Sequence, residues 1–185
     1  MKKYFSVILI VLIIILIVIG TIVFVSKKPV TKESLQTKVG SKLKDLTSGS
    51  IEICNTFSKE KISKFLGRSV TKTKSGLNEV NKKPSCFYYL EGEKTVYLEL
   101  NQNSNVNDQT SGAKALGWKV EENSKIPLKN FVIYTAEGKV RFIYLIIDEK
   151  TFLSIDAWGT DLSNEEQINF ATKLANYLKE EFGVK

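Results

Sequence analysis

The run NFVIYTAEGKVRFIYLIIDEKTFLSIDAW, residues 130–158, decides the fold. Its apolar segments, Asn130–Ala136, Lys139–Ile147 and Thr151–Trp158, are rich in valine, isoleucine, phenylalanine and tyrosine, which suit a pleated, half-buried surface. EGK and DEK join them, and connections that tight link antiparallel neighbours. The middle segment, VRFIYLII, is apolar on both faces apart from Arg141, which predicts a central strand covered on both sides.

Downstream, Ser163 and Glu166 have the S-x-x-E spacing of a capping box. Ile168, Ala171, Leu174, Ala175, Leu178 and Phe182 then form one helical stripe, and Gly183 closes it. Upstream, Val96, Leu98 and Leu100 alternate with Thr95, Tyr97 and Glu99, the pattern of a half-buried strand. With Cys86–Leu90 this strand makes a hairpin around EGE. Before it, Ser58 and Gly67 bracket a helix whose inner face is Ile62, Phe65 and Leu66. Residues 68–83 read as a long polar loop with a short edge strand near Val70. Residues 101–108 read as a loop, followed by a short helix over Gln109–Leu116. The predicted order is α-β-β-α-β-β-β-α. It describes one α+β domain over residues 51–185, with an antiparallel sheet of about five strands packed by helices.

Residues 5–25, FSVILIVLIIILIVIGTIVFV, hold no charge and no proline. At ~1.5 Å per residue a helix of this length spans a hydrocarbon core of ~30 Å. A cleaved signal peptide is the alternative, but the run exceeds the usual apolar region and no A-x-A site follows. The reading is a transmembrane signal anchor. Lys2 and Lys3 flank one end and Lys27, Lys28 and Lys32 the other, so the positive-inside rule nearly balances. The short tail 1–4 and the globular mass behind the anchor predict an N-in topology. Residues 51–185 then lie outside the cytoplasm.

Residues 26–50 read as a basic stalk, partly helical, with Leu35, Val39, Leu43 and Leu46 on one stripe. The stripe docks on the chain's own domain, on a partner helix or on the membrane surface. Residues 26–85 carry 14 basic and 5 acidic side chains, and residues 86–185 carry 11 and 15. A cationic stalk suits anionic headgroups or an envelope polymer, against the plainer reading of a solvated lysine face. Nucleic acid is not an expected partner: its motifs are absent, and Arg68 and Arg141 are the only arginines.

The absence of histidine removes Ser-His-Asp and Cys-His machinery and His-based metal sites. No phosphate loop or C-x-x-C occurs, so no cofactor, metal or catalytic residue is assigned. S-x-x-K recurs at Ser41/Lys44, Ser58/Lys61 and Ser69/Lys72 without companion motifs. Glu99 and Asp156 are the carboxylates a hydrolase would use if they met in a cleft. Tyr88, Tyr97, Tyr134, Tyr144 and Trp158 lie on predicted strands. They line a ligand groove if one sheet face is open, and pack the core if it is not.

Cys54 and Cys86 are the only cysteines, and in an extracytoplasmic domain they read as one disulfide, with two buried thiols as the alternative. ICNTFSKEKISKFLG followed by SCFYYLEGEKTVYLELNQ resembles small, uncharacterised bacterial cell-surface lipoproteins of the actinobacterial type. Cys54, Leu66, Gly67, Cys86 and Tyr88 carry the likeness, over about residues 51–101. A transmembrane anchor replaces the lipobox. The resemblance implies a secreted α+β domain related to the PsbP/Mog1-like sandwich and no catalytic residues. The expected function is a binding or envelope-accessory module for a partner protein, an envelope polymer or a small apolar ligand. The alternatives are a carboxylate-dependent hydrolase and a pilin-like subunit. Against the latter, pilins place a processing glycine before the apolar run and a Glu near its start, whereas here the run begins directly after MKKY.

Overall fold

A computed structural model describes residues 41–48, 51–77 and 83–185, all within the unit Lys38–Lys185. The predicted anchor, residues 5–25, and most of the predicted stalk lie outside the described residues. Among the described residues, no helix is long and apolar enough to cross a membrane.

Residues 41–48 are helical. Then follow α1 (Ile53–Thr56), α2 (Lys59–Leu66), β1 (Val70–Leu77), β2 (Pro84–Leu90), β3 (Thr95–Asn101) and α3 (Val106–Ala115). The second half comprises β4 (Lys119–Glu121), β5 (Asn130–Tyr134), β6 (Val140–Ile146), β7 (Phe152–Asp156) and α4 (Asn164–Phe182). The fold is α+β, and its strands form one antiparallel sheet in the order β1-β2-β3-β7-β6-β5-β4. It consists of two meanders, β1 to β3 and β4 to β7. They meet where Leu98 pairs with Ile155 and Leu100 with Leu153.

The sheet has seven strands, which corrects the expected five. The additions are the two edges. β1 is an eight-residue strand, VTKTKSGL, rather than a stub near Val70. Its residues 71–75 are all exposed, so no apolar alternation announces it. β4 is only KVE. Lysines on an exposed edge discourage pairing with another chain. Gly76 is needed where it sits, because a Cβ there would lie 2.7 Å from Ser85 Oγ and 3.0 Å from the Phe87 ring.

One face of the sheet carries the main core. Leu98, Leu100, Leu145 and Leu153 pack there against Leu174 and Leu178 of α4 and against Phe57 and Ile62. The capping box is formed: Ser163 Oγ accepts from Glu166 N, and the Glu166 carboxylate accepts from Ser163 N. At the other end Gly183 adopts the left-handed conformation (φ 71°). The helical segment 41–48 belongs to this core. Leu46 is fully buried, Gln102 Nε2 donates to the Leu46 and Thr47 carbonyls, and Lys42 pairs with Glu181 of α4 at 2.6 Å. The expected disulfide is present: Cys54 of α1 and Cys86 of β2 are bonded, with Cα atoms 5.2 Å apart. It ties the helical layer to the sheet.

The opposite face is only partly covered. α3 lies over β4 and β5, and Ala113 packs with Ile133, Tyr144 and Phe152. Toward β3 and β7 that face is half-buried: Tyr97, Glu99 and Asp156 are partly exposed, whereas Asn101, Phe152 and Ser154 are buried.

Candidate binding groove

Period-two alternation sends Tyr97, Glu99 and Asn101 of β3 and Phe152, Ser154 and Asp156 of β7 to the half-covered face. With Lys83, Phe142, Tyr144 and Gln109 of α3 they line a cavity of about 350 Å³. Aromatic contacts form its walls. Phe87 and Tyr97, paired across β2 and β3, have ring centroids 4.5 Å apart. Tyr144 lies 5.1 Å from Phe152 and 6.0 Å from Phe142.

Glu99 pairs with Ser154 in the β3–β7 ladder, and Tyr97 with Asp156. The two carboxylates are therefore diagonal neighbours on one face, a relation that places side chains about 7–8 Å apart. Each has a cation beside it. Lys83 Nζ is 3.7 Å from Glu99 Oε1 and also donates to Asn101 Oδ1. Tyr97 Oη donates to Glu99 Oε2 at 2.7 Å. Arg141 Nη1 is 2.7 Å from Asp156 Oδ1, without the alignment of a hydrogen bond. Asp156 Oδ1 accepts from the Trp158 backbone N–H at 2.8 Å. The four charged groups of the groove and its rim balance.

Arg141 owes its position to a bulge. Ile133 pairs with Phe142 and Tyr134 with Val140, so Arg141 is an extra residue in β6. Bulges re-aim side chains in this way. The guanidinium lies 4.0 Å from the centroid of the Phe142 ring and 5.3 Å from that of Trp158, at distances for cation–π attraction.

Burial pushes the Tyr97 phenol up to about 12; the Ser85 hydroxyl opposes this, and the Glu99 and Asp156 charges add to it. Tyr144 is pushed to about 12 mainly by burial, with Arg141 opposing and Asp156 and Glu99 adding. Both phenols are neutral hydrogen-bonding groups at physiological pH.

The structure divides the five strand aromatics. Tyr97 and Tyr144 line the groove. Trp158 is half exposed, just past β7 beside Arg141. Tyr134 packs against the main core, with Lys119 Nζ 5.8 Å from its ring centroid. Tyr88 is fully buried on the helix-covered face and donates to the Phe57 carbonyl at 2.6 Å. It leaves the predicted groove because β2 sends it to the side of Cys86 and Leu90. Of the S-x-x-K pairs, Ser58/Lys61 has both side chains engaged elsewhere. Ser58 Oγ caps α2, while Lys61 Nζ donates to the Thr56 carbonyl and to Tyr177 Oη; Lys72 stacks on Tyr89.

Lys83, Asn101, Gln109, Phe142, Phe152 and Ser154 of the cavity escaped the sequence reading. For Arg141 there was a signal: a lone charge in an otherwise apolar strand. Among the described residues, no group of three or more His, Cys, Asp or Glu side chains is arranged to hold a metal ion. No protein-family model, curated protein or solved structure matches the chain.

Proposed function

We propose that the chain is a single-pass protein of the bacterial cytoplasmic membrane. Residues 5–25 anchor it N-in, and the α+β domain lies outside the cytoplasm and binds a component of the cell envelope in the groove. The carrying observation is the half-covered sheet face: helices close one side, while α3 leaves a cavity walled by aromatics and set with ion pairs. A concave, largely pre-formed site with a few convergent polar groups is the usual form of a ligand pocket. The disulfide suits an oxidising compartment, which agrees with that address.

The test is co-sedimentation of the full chain, held in lipid nanodiscs, with isolated cell-wall sacculi. Gln109 is an exposed α3 residue at the cavity, so Gln109→Trp plugs the groove with little effect on the core. Binding to sacculi that Gln109→Trp abolishes is the expected result. Equal sedimentation of both proteins sinks the reading.

A hydrolase is the second reading, favoured by the presence of Glu99 and Asp156 in one cavity. Glycoside hydrolysis needs one carboxyl held as an acid and the other as a base or nucleophile. Here each carboxylate has a cation beside it, and Tyr97 donates to Glu99. That arrangement serves binding better than proton donation. Release of reducing ends from sacculi, lost in Glu99→Gln and in Asp156→Asn, would reverse the preference.

A further inference from the structure

We infer that the groove takes a neutral, polyhydroxylated ligand: a sugar unit of an envelope glycan. The inference rests on the groove being a binding site, and it names the chemistry of the occupant. Two hydroxyl side chains carry it. Tyr144 is 5 % exposed and Ser154 is 9 % exposed; both line the cavity, and neither makes a side-chain hydrogen bond to a described residue. Neither hydroxyl oxygen is sealed from solvent: both open to the cavity, where a ligand can pair with them in place of water. A hydroxyl both donates and accepts, and its natural complement is another hydroxyl.

The charged groups narrow the class. Glu99 with Lys83 and Asp156 with Arg141 each set an acceptor beside a donor. A vicinal diol matches that arrangement, one oxygen donating to the carboxylate and its neighbour accepting from the cation. An anion would meet Glu99 and Asp156, and a cation would meet Lys83 and Arg141. A neutral ligand incurs neither repulsion. Phe142 and Phe152 supply apolar wall for the C–H faces of a sugar ring. The volume is at the small end of ligand pockets, ~300–1,000 Å³, which suits a single or terminal unit of a polymer.

The experiment uses the full chain in nanodiscs prepared free of glycoside detergent. A panel of neutral oligosaccharides, the oligomers of glucose, mannose, galactose and N-acetylglucosamine, is titrated calorimetrically and then used to compete against sacculi. At least one panel member should bind saturably with little salt dependence. Tyr144→Phe and Ser154→Ala, which keep the side-chain bulk, should each weaken it about tenfold, the loss of one hydrogen bond. Circular dichroism checks that both variants fold. Should sacculi bind in a Gln109-dependent way while no panel member competes, the sugar assignment falls and the binding module stands. Panel binding without sacculus binding keeps the sugar assignment and removes the envelope polymer. If neither binds, both are overturned.

Discussion

Tyr88 and Tyr97 sit on adjacent strands, and both are tyrosines of an alternating segment, yet they do opposite things. Tyr88 points into the helix-covered core and donates to the Phe57 carbonyl. Tyr97 points into the groove and donates to Glu99. The period of two was legible in both strands; which parity faces helices and which faces the cavity was not, because that depends on where α3 and α4 land. Arg141 is a sharper case. Its bulge is a property of pairing with β5, and only the isolation of its charge marked it beforehand. The phenols of Tyr97 and Tyr144 give a prediction at this scale. Both are raised to about 12, so the folded state holds protons that the unfolded chain releases near pH ~10. Their contribution to stability is full below pH ~10 and is lost as pH rises toward 12. Urea midpoints measured at pH 9 and again near 11.5 should therefore fall more steeply for the wild type than for the double variant Tyr97→Phe/Tyr144→Phe. Parallel slopes would show that the two phenols ionise alike in both states.

Elements were legible in proportion to their local chemistry. The final helix announced itself by an N-cap, a periodic stripe and a terminal glycine, and every one of those signals is formed. The strands β3, β6 and β7 announced themselves by apolar content. The edges did not: β1 pairs with β2, and apart from buried Val70 its exposed threonine and lysine side chains leave nothing periodic to read. The short α1 was missed for a related reason. Four residues cannot show a period, and a disulfide holds this helix to β2. The start of α4 can be tested directly. Ser163→Ala removes the acceptor for Glu166 N and should cost about 1 kcal/mol, the usual value of an N-cap. The Ser163 backbone N–H, with Arg68 and the Ser163 hydroxyl, holds the Glu166 carboxyl down to about 2. A depressed carboxyl contributes stability above its unfolded value, near ~4.3, and loses it as pH falls toward 2. Acid titration of stability should be shallower in Glu166→Gln than in the wild type. A Ser163→Ala protein with unchanged unfolding midpoint would mean that the capping box adds nothing to α4.

At the scale of the whole molecule, the decisive step is the pairing of β3 with β7, which joins two meanders across more than fifty residues of chain. No window of sequence contains that pairing, and it alone makes Glu99 and Asp156 neighbours. Of the cavity's lining residues the sequence therefore offered only Tyr97, Glu99, Tyr144 and Asp156, and it did not bring them together. The Cys54–Cys86 bond is the other long-range tie, and there elimination sufficed, since no third cysteine competes. It closes a loop of 32 residues' separation, for which chain entropy gives roughly 3.5–4 kcal/mol. A domain of this size has a net stability of ~5–15 kcal/mol, so losing the bond should shift the denaturant midpoint strongly without abolishing the sheet. Comparing urea unfolding of the oxidised chain with the reduced chain and with Cys54→Ala/Cys86→Ala measures this. The same pair reports the address. A domain outside the cytoplasm keeps the bond in growing cells, whereas cytosolic reductants hold thiols reduced. Cells are lysed into denaturant with a maleimide present, then treated with reductant and a second, heavier maleimide. Both cysteines should carry only the second label. Addition of the first label to both would place the domain in the cytoplasm, remove the staple from the working protein and overturn the proposed N-in topology.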